Sequence, residues 1–189
     1  MPKKILKTKR LILRGVGDKK SDLNDMIEGV NNLEVSKWLL SVPYPYKKSD
    51  ALFWINYCKK GYKDKKGKSY EFALELKENK KYIGGFGLSK IDKFQGTATI
   101  GYWINSKYHG KGYGSEALNA IFNFAFNKLK LRRINAGVFV GNPSSGKLLE
   151  KFGAKNEGLK RKGGVCEADG KIKDDLIYGL LKEDFKPLK

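Results

Sequence analysis

Histidine and cysteine are almost missing from this chain. In 189 residues there is one histidine, His109, and there are two cysteines, Cys58 and Cys166. The thiols show no CxxC spacing, so neither a disulfide framework nor an ordinary zinc site can be built from them. No metal is expected, and a serine–histidine–acid triad would have to run through His109. Long apolar runs are missing too: none approaches the roughly 18 to 20 residues that a membrane span needs. The opening MPKKILKTKR has neither the apolar stretch nor the cleavage site of a secretory signal. The expectation is a soluble, cytoplasmic protein with no membrane partner. Arginine is also scarce. Lysine and arginine total 39 against 20 acids, a net charge of +19, yet only Arg10, Arg14, Arg132, Arg133 and Arg161 are arginines. Arginine is the preferred residue for bidentate phosphate and base recognition. A lysine excess reads first as a solvated surface whose field draws anions and repels polycations.

What is present is a folded globular composition, 40% hydrophobic and 12% aromatic. The length suits one domain, expected to span residues 1–189 with a core at about 8–181. TKRLILRGV alternates like a first strand, with Leu11 and Leu13 on one face. SDLNDMIEGVNN reads as a capped helix. SDALFWINYCKK reads as a second, with Leu52, Phe53, Ile55 and Tyr57 inward. SYEFALEL, KYIGGFGLSKI and TATIGYWI form an antiparallel meander joined by short polar turns. SEALNAIFNFAFNKL is a helix buried on most sides, RRINAGVFV a strand, and SSGKLLEKFG a short helix closed by Gly153. Two final strands flank the turn EADGK. The expected class is α+β (α/β), with a central mixed, mostly antiparallel sheet of about seven strands and some four helices.

One stretch asks for a chemical explanation. YHGKGYGSEA places Gly110, Gly112 and Gly114 between the end of a strand and the start of a helix. A helix start offers unpaired N–H groups and the positive end of the dipole, and glycines let an anion approach them. The chemistry indicated is phosphate or pyrophosphate binding. The nucleotide-triphosphate pattern fails, because Lys111 lies between glycines. The dinucleotide fingerprint fails because Ser115 stands where its third glycine belongs.

GYWINSKYHGKGYGSEAL followed by NPSSGKLLEKFGA resembles the GNAT superfamily of acetyl-CoA-dependent N-acetyltransferases, within it the ribosomal-protein-alanine (RimJ/RimL-like) branch. PYPYKKSDALFWI resembles that branch as well. The resemblance implies the GNAT fold, with acetyl-CoA pyrophosphate on the loop His109, Gly110, Lys111, Gly112, Tyr113 and Gly114. Ser115 would add an N–H and a hydroxyl. Trp103, Ile104 and Asn105 would lie beside the pantetheine arm, and Asn142 and Ser145 would contact the cofactor from the next turn. His109 departs from the family's glutamine or arginine. Leu149 replaces a common catalytic tyrosine and Thr99 a common glutamate, so the acid and base are open, as is a fold that binds cofactor without catalysis. Ser145 is the candidate acid, or else a helix-start serine; Glu71 is the candidate base, or else an exposed, solvated residue. Trp38, Tyr44 and Tyr46 are candidates for a substrate pocket, or else ordinary packing. The implied activity is acetylation of a primary amine, a protein N-terminus ahead of a small-molecule amine. A non-enzymatic alternative is a nucleic-acid- or ribosome-binding module using the lysines at Lys59 to Lys68 and Lys160 to Lys173.

Overall fold

The computed structural model describes residues 5–63 and 69–188, so residues 64–68 of the first lysine run lie outside the described residues. Strands β1 (Leu6–Lys7) and β2 (Leu11–Gly15) lead into helices α1 (Asp22–Val30), α2 (Leu33–Ser36) and α3 (Lys48–Lys63). The meander is β3 (Tyr70–Leu76), β4 (Tyr82–Asp92) and β5 (Thr97–Ile104). Then come α4 (Tyr113–Asn123), β6 (Arg133–Phe139), α5 (Pro143–Glu150), β7 (Lys155–Val165) and β8 (Ile172–Leu181). All eight strands form one sheet in the order β1-β2-β3-β4-β5-β6-β8-β7. Every pairing is antiparallel except β5 with β6. The expected architecture is there, with one short strand and one short helix more than the sequence suggested.

Strand alternation divides the core into two layers. Leu11, Leu13, Phe72, Leu74, Phe86, Leu88 and Ile100 face α4, whose Ala117, Leu118, Ile121 and Phe122 are fully buried. The helix continues as a π-helical turn, Phe124–Lys128, which turns Phe124, Ala125 and Phe126 all inward. On the other face, α1 and α3 pack Met26, Val30, Ala51, Ile55 and Cys58 against Ala73 and Tyr82. The inward stripe of α3 is therefore Ala51, Ile55 and Cys58. Leu52, Phe53 and Tyr57, expected inward with Ile55, point to solvent. Both stripes have helical spacing, and only the sheet beneath α3 selects between them.

A buried ion cluster anchors α1. Arg14 on β2 donates to both oxygens of Asp22 (2.8 and 2.7 Å) and to Glu75 on β3 (2.5 Å). All three are at most 5% exposed. Removing one member would leave a buried charge uncompensated, a loss of about 3–5 kcal/mol.

Candidate active site

The site begins where the sheet comes apart. Strands β5 and β6 pair only over Thr97–Thr99 and Arg133–Asn135. Beyond that point β5 stays with β4 as far as Ile104, while β6 stays with β8 as far as Phe139. A wedge opens between them, bordered by strand edges that have no neighbour. The Asn105 amide donates to the Ile83 carbonyl of β4 (2.9 Å). Peptide direction alternates along a strand, so Gly101 and Trp103 also turn their peptide groups to β4, while Tyr102 and Ile104 turn theirs into the wedge. The His109 Nε2 lies 2.8 Å from the Ile104 carbonyl and occupies that acceptor.

At the wide end of the wedge, the glycine loop delivers the chain into α4. Gly110 (φ 73°) and Gly112 (φ 78°) are left-handed, a conformation that disfavours any side chain. A Cβ at Gly110 would meet nothing, so the loop surface there is bare. Gly114 serves differently: a Cβ would press on Leu148 (3.2 Å) and Ile104 (3.3 Å), so this glycine lets α4 pack closely on β5 and α5. The first intrahelical bond is Glu116 N–H to the Gly112 carbonyl (3.1 Å). The amides of Tyr113, Gly114 and Ser115 precede it and have no intrahelical acceptor. Lys111 reaches over the Tyr108 ring (5.4 Å), and the Ser115 hydroxyl accepts from Lys151 (3.4 Å).

Arg10, the residue before β2, braces this loop, and nothing in the local sequence announces it. Its guanidinium donates to Glu116 (2.6 Å) and to the Lys111 carbonyl (3.0 Å), and stacks 4.4 Å from the Tyr113 ring centre. Its backbone N–H (2.7 Å) and the Thr8 hydroxyl (2.5 Å) also reach Glu116. Burial works to raise the Glu116 pKa, but the Thr8 hydroxyl and both Arg10 groups outweigh it and hold the carboxyl below its ordinary value. The acid in the first turn of α4 is thus neutralised by Arg10, and Lys111 remains as the loop's own cation.

On the α4–α5 face of the wedge, the Tyr102 phenol lies 2.8 Å from Ser145 Oγ. Burial raises the Tyr102 pKa to about 12, and its bond to Ser145 lowers it less. Asn142 caps α5 by accepting the Ser145 N–H (3.3 Å). The capping role foreseen as an alternative for Ser145 belongs to Asn142, and the serine hydroxyl is bonded to Tyr102 instead.

Glu71 lies on the opposite face. It registers with Gly87, and Gly87 with Gly101, so the three stand side by side across β3, β4 and β5. A Cβ at Gly87 would overlap the Glu71 carboxylate, so the carboxylate lies over the glycine and is partly buried, with only its outer edge reaching water. The alternative of an exposed Glu71 is corrected by this placement. Burial pushes its pKa from 4.5 up to about 8. Its carbonyl is held by the Tyr62 hydroxyl (2.8 Å). Gly101, and Gly137 on β6 across the wedge, have open space where a Cβ would stand, so this mouth is bare.

Other expected residues sit elsewhere. The Trp103 ring packs under α1, close to Gly29 and Gly85 and 5.8 Å from the Tyr82 ring. Asn105 is 3% exposed and accepts from the Lys107 N–H, with its Nδ2 unpartnered. Tyr46 is a core residue, its hydroxyl against Met26 sulfur, which removes it from any pocket wall. Tyr44 is exposed beside the cis Tyr44–Pro45 bond. Trp38 lies against Gly141, at the β6–α5 turn, beneath the Lys37 and Lys173 ammonium groups. Cys58 and Cys166 are both buried, and among the described residues no group of three or more histidines, cysteines and acids is placed to hold a metal ion. No described helix is long and apolar enough to cross a membrane.

A strand wedge that ends at a helix start with free N–H donors offers the kind of groups that a phosphate-bearing ligand with an extended arm requires. The family model of the acetyltransferase (GNAT) domain matches residues 10–155. The chain belongs to this family and is an acyltransferase, moving the acetyl group of acetyl-CoA to an amine. Among its relatives is an uncharacterized N-acetyltransferase, p20, of Bacillus licheniformis, 31% identical over 95% of this chain and 97% of that one. Another is the [ribosomal protein uS5]-alanine N-acetyltransferase of Escherichia coli, 30% identical over 65% of this chain and 63% of that one. A GNAT-family acetyltransferase structure from Bacillus anthracis superposes with a TM-score of 0.78 at 26% identity, covering 95% of this chain and 99% of that chain.

Proposed function

We propose that the protein acetylates the α-amine of a protein or peptide N-terminus, with residues 8–181 acting as one catalytic domain. The observation that carries this reading is the Glu71 carboxylate, desolvated over Gly87 beside the bare mouth of the wedge. Acetyl-CoA, when bound, supplies the acetyl thioester. The amides of Gly112, Tyr113, Gly114 and Ser115, with Arg10 and Lys111 nearby, are the groups that hold its pyrophosphate. The wedge-facing peptide groups of Tyr102 and the N–H of Ile104, whose carbonyl is taken by His109, orient its arm. Asn142 and His109 shape the walls, the former by capping α5 and the latter by engaging the Ile104 carbonyl.

Glu71 takes a proton from the acceptor ammonium on one face. Ser145, bonded to Tyr102, holds a proton at Oγ on the other, where a leaving group needs one. The base is matched to its task. An α-ammonium titrates near 7.7–8.0 and a lysine side chain near 10.4. A carboxylate with a pKa of about 8 accepts the first proton at almost no cost and the second against a gradient. Two further facts support an N-terminal amine. The net charge of +19 repels polyamines, and the E. coli relative is named for a ribosomal-protein alanine.

The test is thiol release from acetyl-CoA with a panel of short peptides, amino acids, aminosugars and diamines. Peptides with free N-termini are expected to lead, and N-terminally blocked peptides carrying an internal lysine to be inert. A lead by diamines or aminosugars would overturn the acceptor assignment and leave the transferase chemistry standing.

A further inference from the structure

The end of the sheet opposite the glycine loop carries the most exposed large apolar side chain among the described residues. Phe94, in the β4–β5 turn, is 94% exposed; the next is Phe53 at 72%. Burying a phenylalanine is worth about 2–3 kcal/mol, so an outward ring on a tight turn gives up that gain. The turn is also firmly held. Asp92 accepts the Gln95 N–H (2.9 Å), and Arg132 Nε donates to the Gln95 carbonyl (2.7 Å). The amides of Arg132 and Arg133 both donate to the Gly96 carbonyl (2.8 and 3.2 Å). Gly96 is left-handed (φ 64°), and a Cβ there would press on the Arg132 side chain (3.2 Å). Phe94 is thus displayed on a rigid support.

Around it the charge is positive. Lys90, Lys93, Lys130, Arg132 and Lys182 are all exposed at this end, against Asp92 and Glu183. Lys182 belongs here because its N–H donates to the Arg132 carbonyl (3.0 Å). Lys90 and Lys130 both hold left-handed backbone (φ 50° and 59°), the first at the register shift between Ser89 and Asp92 in β4 and the second between the π-helical turn and β6. Acidic peptides would be satisfied by lysines alone. A flat ring open to solvent adds something for a ligand with planar faces and regular negative charge.

We propose that the β4–β5 turn is a docking point for single-stranded RNA, with a base stacked on Phe94 and neighbouring phosphates on Lys90, Lys93, Lys130 and Lys182. Stacking on an aromatic side chain needs no particular base, and lysines act as point charges, so the contact is tolerant of sequence and sensitive to salt. Strand β5 runs from this turn to the glycine loop, about 26 Å at 3.3 Å per residue. Bound RNA therefore leaves the catalytic wedge open. The surface stands independently of the acceptor assigned above.

The experiment is fluorescence anisotropy of the full chain with a labelled 12-nucleotide single-stranded RNA, a 12-base-pair RNA duplex and heparin, each between 50 and 200 mM salt. Phe94→Ala is expected to weaken the single strand about tenfold and to leave duplex and heparin unchanged. Phe94→Trp should retain or improve single-strand binding. Lys93→Glu should weaken all three and flatten the salt dependence, which Phe94→Ala leaves alone. Circular dichroism and the acetyl-CoA-induced rise in Tm report folding and the cofactor site, and both are expected to match the wild type. Equal single-strand affinity for wild type and Phe94→Ala overturns the proposal. So does an equal loss on heparin, or a Phe94-dependent affinity for an acidic peptide or anionic vesicles in place of RNA.

Discussion

Replacing Glu71 with glutamine trades stability against catalysis, and the trade has a sign that pH reveals. The folded pKa of about 8 lies above the ordinary 4.5, so the folded state binds more protons than the unfolded state across that interval. Stability is then greatest below pH 4.5 and falls as pH rises through 8. At 1.36 kcal/mol per pH unit the full interval amounts to about 5 kcal/mol, and access of water to the outer edge of the carboxylate reduces it to about 2–4 kcal/mol. Glu71→Gln has the same shape and no charge to desolvate. It should raise Tm at pH 8.5 by about 5–10 °C and leave Tm at pH 4 unchanged. The same variant removes a general base, a loss of about 10²–10⁴ in kcat. Differential scanning fluorimetry across pH 4–9 and thiol-release kinetics over the same range read the two effects. Equal Tm for both proteins at pH 8.5, or an undiminished kcat in the variant, would refute the argument that Glu71 is a desolvated base.

The other expectations concern the cofactor cradle and the hydroxyl pair. Gly112→Val forces a β-branched residue to φ 78°, at a cost of about 1–3 kcal/mol in the loop. By isothermal titration it should weaken acetyl-CoA at least tenfold while circular dichroism stays unchanged; wild-type affinity would count against the loop. Arg10→Ala frees Glu116 at the helix start and removes a nearby cation. It should raise the acetyl-CoA Kd about tenfold with kcat nearly intact, since charge-assisted hydrogen bonds contribute about 1.5–3 kcal/mol. Ser145→Ala and Tyr102→Phe should each lower kcat more than they weaken cofactor binding. The double variant should be little worse than either one, because the two hydroxyls act as one unit. Additive losses would separate them.

Consecutive residues were enough to reveal the glycine loop and every element but the short β1 and α2. Leu11 and Leu13 alternate onto the core because a strand has period two, and Gly110 and Gly112 mark left-handed turns because other residues resist them. The anchoring helix α4 is legible from its apolar spacing, and the cradle from the glycines that precede it. The α3 face was not legible, since Ala51, Ile55 and Cys58 compete with Leu52, Phe53 and Tyr57 for the same role.

The pairings inside the site come from tertiary structure alone. Arg10 and Glu116 are separated by 106 positions, Tyr102 and Ser145 by 43, and no spacing rule connects them. Glu71 alternates with Phe72 and Leu74, which in sequence reads as a solvated face; α1 and α3 cover that face, and Gly87 leaves room for the carboxylate. Backbone conformation and amphipathic period are properties of a few neighbouring residues, so the sequence carries them directly. Desolvation and ion pairing depend on which distant segments come to lie beside a side chain, and only the folded sheet decides that.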